Sequence, residues 1–204
     1  MSKQFNRDQL LAALDEIGRA AVENRRVLEV VIYGGSALML ASNFRYASED
    51  VDIAEIERPW PDWLRQAVSA IAARNGWSED WLNDAVAFHL SPLASVDSDH
   101  WLFGSFPRNG ADAGLKVYVP TAEYLLALKL KAMRVTDPVK GRQETSDIAN
   151  RAKVLDLGTP QDALDVLPKF FPKTASDSAK QRFLLKHIWN EDAHDAPEYP
   201  ARRF

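Results

Sequence analysis

Val27-Leu28-Glu29-Val30-Val31-Ile32-Tyr33-Gly34-Gly35-Ser36-Ala37-Leu38-Met39-Leu40-Ala41 is the stretch whose reading decides the fold. Residues 27–33 are apolar and β-branched almost throughout, the pattern of a central strand buried on both faces. Gly34-Gly35-Ser36 stops that strand as a turn, and Ala37–Ala41 then resume a helical pattern. A glycine turn that opens a helix is a natural anion site. The helix N-terminus carries partial positive charge, and glycine lets a phosphate approach the backbone closely.

Downstream, Asn43–Glu49 is a polar connection into Asp50-Val51-Asp52-Ile53-Ala54, an alternating stretch that reads as the next strand. Side chains alternate along a strand, so the carboxylates of Asp50 and Asp52 are expected on one face. Two like charges that close repel, and a cation between them relieves the repulsion. Carboxylate oxygens suit Mg²⁺, which takes one or two of them and completes its shell with water and substrate phosphates. Each feature alone also has a plain structural reading, the first as an ordinary turn and the second as a solvated edge strand.

Upstream, Asn6 and Gln9 form a capping-box pattern, and Leu10, Leu11, Leu14, Ile17 and Ala21 recur at helical spacing to about Glu23. After Pro59 and Pro61, the residues Trp63, Leu64, Ala67, Val68 and Ile71 line one face of a helix ending near Asn75-Gly76, with a shorter helix over Glu79–Phe88. Trp101–Phe106 and Leu115–Val119 read as two strands around the turn Arg108-Asn109-Gly110. From the N-cap Thr121 onward the chain reads as helices over about 122–134, 143–156, 161–171 and 177–190. The resulting class is α+β, a mixed sheet with flanking helices followed by a C-terminal helical subdomain. The boundaries read as a catalytic lobe over 1–120, a helical lobe over 121–192 and a mobile tail over 193–204.

Composition excludes several function classes. The 204 residues include no cysteine, which removes disulfides, thiolate metal sites and cysteine nucleophiles. A formal net charge of -4 argues against broad electrostatic binding to nucleic acid, although Lys129, Lys131, Arg134, Lys140 and Arg142 form a local basic run. No stretch has the length of a membrane span and the start lacks a signal-peptide core, so the expectation is a cytoplasmic protein without membrane contact. His89, His100, His187 and His194 show no zinc-ligand spacing, and Lys140-Gly141 lacks the glycine pattern of a P-loop. The tryptophans, mostly within Trp60–Trp101, read as core packing ahead of base stacking.

The combination of Gly34-Gly35-Ser36 with Asp50-Val51-Asp52 resembles the nucleotidyltransferase superfamily, with its polymerase beta-like mixed sheet. It is most similar to the abortive-infection (AbiEii-like) nucleotidyltransferase toxins of bacteria. Four local patterns carry the likeness, over roughly residues 27–155. Gly34-Gly35-Ser36-Ala37-Leu38-Met39-Leu40 looks like the family's first motif. Arg45 and Ser48 ahead of Asp50 and Asp52 look like the second. Glu123-Tyr124-Leu125-Leu126-Ala127-Leu128-Lys129 looks like the third, and Arg142-Gln143-Glu144-Thr145-Ser146-Asp147-Ile148 like the fourth. In that last motif, Gln143 stands where a basic residue is expected and Glu144 where an aspartate is. On the strand that elsewhere in the superfamily carries a third carboxylate, Leu115-Lys116-Val117-Tyr118 offers a lysine.

The resemblance implies a Mg²⁺-dependent enzyme that moves a nucleoside monophosphate from an NTP to a hydroxyl acceptor, such as tRNA or a protein side chain. It implies the toxin of a toxin–antitoxin or phage-defence system with a cognate antitoxin. It assigns Asp50 and Asp52 to the metal, and Gly34, Gly35, Ser36, Arg45 and Ser48 to the nucleotide. Lys129 becomes the phosphate-balancing cation, and Asp147 the general base or missing third carboxylate. Two other expectations stand beside it. One is a catalytically degenerate member kept as a binding or regulatory module. The other is an antibiotic-modifying type of enzyme whose cationic acceptor would meet Asp97, Asp99 and Asp112.

Overall fold

A computed structural model of the chain describes residues 3–42, 45–54, 59–110, 112–133 and 140–191. The described residues fall into two compact units. One contains those up to His89 together with His100–Pro120, and the other contains Leu90–Asp99 together with those from Thr121 onward.

The first unit is built on a five-stranded mixed sheet. A short strand β1 (Phe5–Asn6) leads into helix α1 (Arg7–Glu23), whose N-cap Asn6 and Gln9 make the capping box reciprocally. Leu10, Leu14, Ile17 and Ala21 form its buried stripe. Strand β2 (Leu28–Ile32) follows, then helix α2 (Gly34–Ala41), the two-residue strand β3 (Ala47–Ser48) and strand β4 (Val51–Ala54). Helix α3 (Asp62–Asn75) ends on Gly76, which takes the left-handed conformation of a helix C-cap at φ 69°. Strand β5 (Leu82–Asn83) and a 3₁₀ turn (Ala85–His89) come next.

The sheet is completed by β6 (His100–Phe106) and β7 (Leu115–Pro120) and runs in the order β5-β4-β2-β7-β6. Strand β2 is central, parallel to β7 and antiparallel to β4. Its position explains its composition, since Val30, Val31 and Ile32 are all buried. Helix α1 packs on α3, β6 and β7, whereas α2 packs on β4 and β7. Apart from the main sheet, β1 pairs with β3, Phe5 opposite Ser48.

Several expectations change. The helix expected to begin at Ala37 begins at Gly34, so the two glycines form its first turn. The strand expected from Asp50 begins at Val51. Residues 79–88 are not one helix, because Leu82 joins the sheet opposite Val51 and Asp84 starts a tight turn. Trp77 and Trp81 pack with Phe5, at ring centroid distances of 4.7 and 6.1 Å, and form the buried aromatic cluster that holds this segment.

The second unit begins with Leu90–Asp99, which includes the single-turn helix α4 (Val96–Asp99). Its anchors lie within the helical unit: the Ser91 amide donates to the Tyr124 hydroxyl, the Ser91 hydroxyl to the Phe170 carbonyl, and Lys169 lies 3.3 Å from the buried Asp99. Helix α5 (Ala122–Ala132) is capped by Thr121, and α6 (Lys140–Val154) packs against it. The helix expected over 161–171 is two helices, α7 (Pro160–Leu164) and α8 (Leu167–Phe170), because Pro168 cannot continue the preceding helical ladder. Pro172 likewise opens a separate α9 (Pro172–Ser176) ahead of α10 (Ala179–Glu191). Arg134 of the basic run and the tail expected over 193–204 lie outside the described residues. Among the described residues no helix is long and apolar enough to cross a membrane.

Asp15 on α1 ties the β6–β7 turn to the first unit by accepting from the Arg108 amide at 2.7 Å and from its guanidinium at 2.7 and 2.9 Å. Burial on its own raises the Asp15 carboxyl, but the Arg108 hydrogen bonds and the charges of Arg108 and Arg19 outweigh it and hold it below the usual range. A carboxyl depressed on folding contributes stability above its unfolded value, near 4, and that contribution fades as pH falls through the folded value. Asp15→Asn is expected to cost about 1 kcal/mol at pH 7, Arg108 being half exposed, and to approach the wild type as pH falls through the lowered folded value. Thermal unfolding of both proteins between pH 2 and 7 measures this.

Candidate functional site

Antiparallel pairing of Ile32 with Ile53 puts Tyr33 opposite Asp52, and the Tyr33 amide donates to the Asp52 carbonyl at 2.8 Å. Buried Val51 and Ile53 lie on one face of β4, leaving half-buried Asp52 on the other. Its carboxylate rests against Gly34, where an added Cβ would stand 2.5 Å from Oδ2. Gly34 also has φ +63°, a conformation that costs other residues energy. Next to it, a Cβ on Gly35 would overlap the Arg45 guanidinium. Gly34 is therefore required to admit a carboxylate, whereas a Cβ at Gly35 would have to displace the Arg45 guanidinium.

Helix α2 starts at this place with Tyr33 as its N-cap and no side-chain cap. Its first-turn amides face a region flanked by Asp52 and Arg45, and a helix start of this kind favours negative charge. Arg45 is oriented by its Nε, which donates to the Ala47 carbonyl at 3.1 Å.

Asp50 lies just ahead of β4 and is exposed. Its backbone carbonyl accepts from two buried hydroxyls, Ser36 at 2.6 Å and Ser48 at 3.0 Å. Ser48 Oγ is also 3.5 Å from Asp50 Oδ1. The two serines assigned to the nucleotide thus serve Asp50, and the loop that carries it is held from both sides. The Val51 amide donates to the Trp81 carbonyl, which fixes the next residue onto the aromatic cluster.

The structure brings together Gly34, Gly35, Ser36, Arg45, Ser48, Asp50 and Asp52 within the first unit. Lys129 and Asp147 lie in the second unit and are paired with each other, Lys129 Nζ standing 2.8 Å from Asp147 Oδ2. Asp147 is almost fully buried. The side chains of Arg142, Gln143 and Glu144, the altered part of the fourth motif, lie outside those described. Lys116, on the strand where a third carboxylate was sought, pairs with Glu29 at 2.7 Å. Asp99, expected as part of an acidic acceptor surface, is buried against Lys169, Ser95 and Ser98.

Two features escaped the sequence reading. His100, to which no chemistry was assigned, has Nε2 2.9 Å from the Tyr33 hydroxyl, and both rings are buried. This pair anchors the residue that precedes Gly34, and no spacing in the sequence connects it. Arg151 is buried one helical turn after Asp147. Burial pushes its guanidinium down to about 10, against the raising influence of Asp147. The Asp147–Arg151 spacing of i to i+4 was the available signal.

Comparison of the chain with protein-family models, with curated proteins and with solved structures returned no match.

Substitution of the two glycines separates their roles. Gly34→Ala is expected to destabilise by at least about 1–2 kcal/mol, since it imposes a left-handed conformation on a residue with a Cβ and also displaces Asp52. Gly35→Ala only has to move the far end of Arg45 and is expected to cost less than about 1 kcal/mol. Urea unfolding of both variants is the measurement.

Proposed function

We propose that the chain is a nucleotidyltransferase that uses Mg²⁺ to move a nucleoside monophosphate from an NTP to a hydroxyl acceptor. The observation that carries this reading is the seating of the Asp52 carboxylate on Gly34, at the uncapped start of α2, beside Arg45 and the doubly held Asp50 loop. It brings an acidic pair, a cation and a helix N-terminus to one place. Phosphoryl-transfer chemistry needs such a combination, because its catalysis is mostly positioning and charge neutralisation.

The donor set fits the metal. Among the described residues no three His, Cys, Asp or Glu side chains group as a complete metal site. Two carboxylates are nonetheless what Mg²⁺ takes when substrate phosphates and water complete its octahedron. Asp50 and Asp52 would hold it, and when bound it would neutralise phosphate charge and polarise the phosphorus being attacked.

The chain's own residues supply the rest. The first-turn amides of α2 and the Arg45 guanidinium would hold phosphate oxygens. Ser36 and Ser48 keep Asp50 in place through its carbonyl. Tyr33, anchored to His100, keeps Gly34 in register with Asp52. The acceptor hydroxyl attacks the α-phosphorus and gives up its proton to solvent; a new O–P bond forms as the bond from the α-phosphorus to the bridging oxygen breaks, and pyrophosphate leaves. On the sequence resemblance the acceptor is tRNA or a protein, and the setting is a toxin–antitoxin or phage-defence system.

A second reading rests on Lys116, which stands where a third carboxylate is expected, and on the two-carboxylate donor set. It is a nucleotidyltransferase-like module that binds or regulates without transferring.

The deciding test incubates purified protein with each α-labelled NTP, Mg²⁺ and total RNA. Label is expected to move to RNA or protein, and Asp52→Ala is expected to reduce transfer about a hundredfold or more. Absence of both transfer and Mg²⁺-dependent NTP binding in the wild type would replace this reading with the binding module.

A further inference from the structure

The helical unit contains a buried cation with an idle pair of donors. Arg151 is 2% exposed, and its Nε and Nη2 atoms have no hydrogen-bond partner. These two atoms form one edge of the guanidinium. They point their N–H bonds the same way, in the fork that matches two oxygens of a single oxyanion.

The surroundings favour an anion. Asp147 is one turn back on α6; its charge acts on Arg151, and its Oδ2 lies 2.8 Å from Lys129 Nζ on α5. Neighbouring Asn150 is also buried, and its amide donates to the Ser146 hydroxyl, away from Arg151. A buried guanidinium with an unused donor edge is costly unless something accepts from it.

We propose that the Nε–Nη2 edge of Arg151 is a binding site for a phosphate group. A phosphate has two oxygens for the fork, further oxygens beyond them, and negative charge to set against the buried guanidinium. A carboxylate has only the first two oxygens. Because the edge is buried, the ligand enters during local opening of the unit and closes it on binding. The site lies entirely within the helical unit and does not depend on the nucleotidyltransferase reading.

The test uses the full chain without Mg²⁺. Inorganic pyrophosphate and, separately, inorganic phosphate are titrated into ¹⁵N-labelled protein, and the Arg151 Nε–Hε resonance and the thermal midpoint are followed. Either anion is expected to shift that resonance and raise the midpoint. Stronger binding of pyrophosphate identifies a polyphosphate tail as the ligand class, and equal binding identifies a single phosphate group. Arg151→Met and Arg151→Lys, which remove the fork and in the lysine case keep the charge, are both expected to weaken binding at least tenfold. A wild-type resonance unmoved by both anions overturns the proposal even if neither variant folds, and so does undiminished binding in either folded variant. Label transfer to an acceptor is read separately and leaves this result unaffected.

Discussion

The antiparallel register of β2 against β4 is the constraint on which the candidate site depends. With Ile32 opposite Ile53 and the Tyr33 amide on the Asp52 carbonyl, the end of one strand and the start of the other coincide. A slip by one residue would turn Asp52 toward the core and bring Val51 or Ile53 to the helix start. Burial of Val51 and Ile53 on the opposite face prevents this, because each contributes roughly 2 kcal/mol that would be lost on exposure. Ordinary hydrophobic pattern thus holds two polar features in contact.

A second layer of support comes from groups with no part in the chemistry. Phe5, Trp77 and Trp81 form an aromatic cluster, and the Trp81 carbonyl accepts from the Val51 amide. Phe5 also pairs through β1 with Ser48, whose hydroxyl joins that of Ser36 on the Asp50 carbonyl. On the other side, the buried Tyr33–His100 hydrogen bond ties the N-cap of α2 to the start of β6. Asp50 and Gly34 are therefore held by packing far from them in sequence. Positions that must meet a ligand within fractions of an ångström need this kind of support.

In the helical unit, Lys129 of α5 and Asp147 of α6 stand 2.8 Å apart as an ion pair that joins the two helices. Arg151 adds a buried cation, and its Nε–Nη2 edge is left without an acceptor.

Much of the fold was legible in the sequence. The capping box at Asn6, the apolar run into Tyr33, the alternation after Asp50 and the turn at Arg108-Asn109-Gly110 each act over a few residues, and local pattern determines them. So did the gathering of Gly34, Gly35, Arg45, Asp50 and Asp52, since a strand, a helix and an adjacent strand leave them little room to separate. The rest required the folded chain. Nothing local says that Leu82 pairs with Val51, that Ser36 and Ser48 donate to one carbonyl, or that Tyr33 meets His100. By itself the sequence determined the main strands and helices and which residue types stand near the glycines. Only tertiary structure decided which polar groups are spent on one another, because hydrogen-bond and ion-pair partners are chosen by distance in space and by the cost of burying a group unpaired.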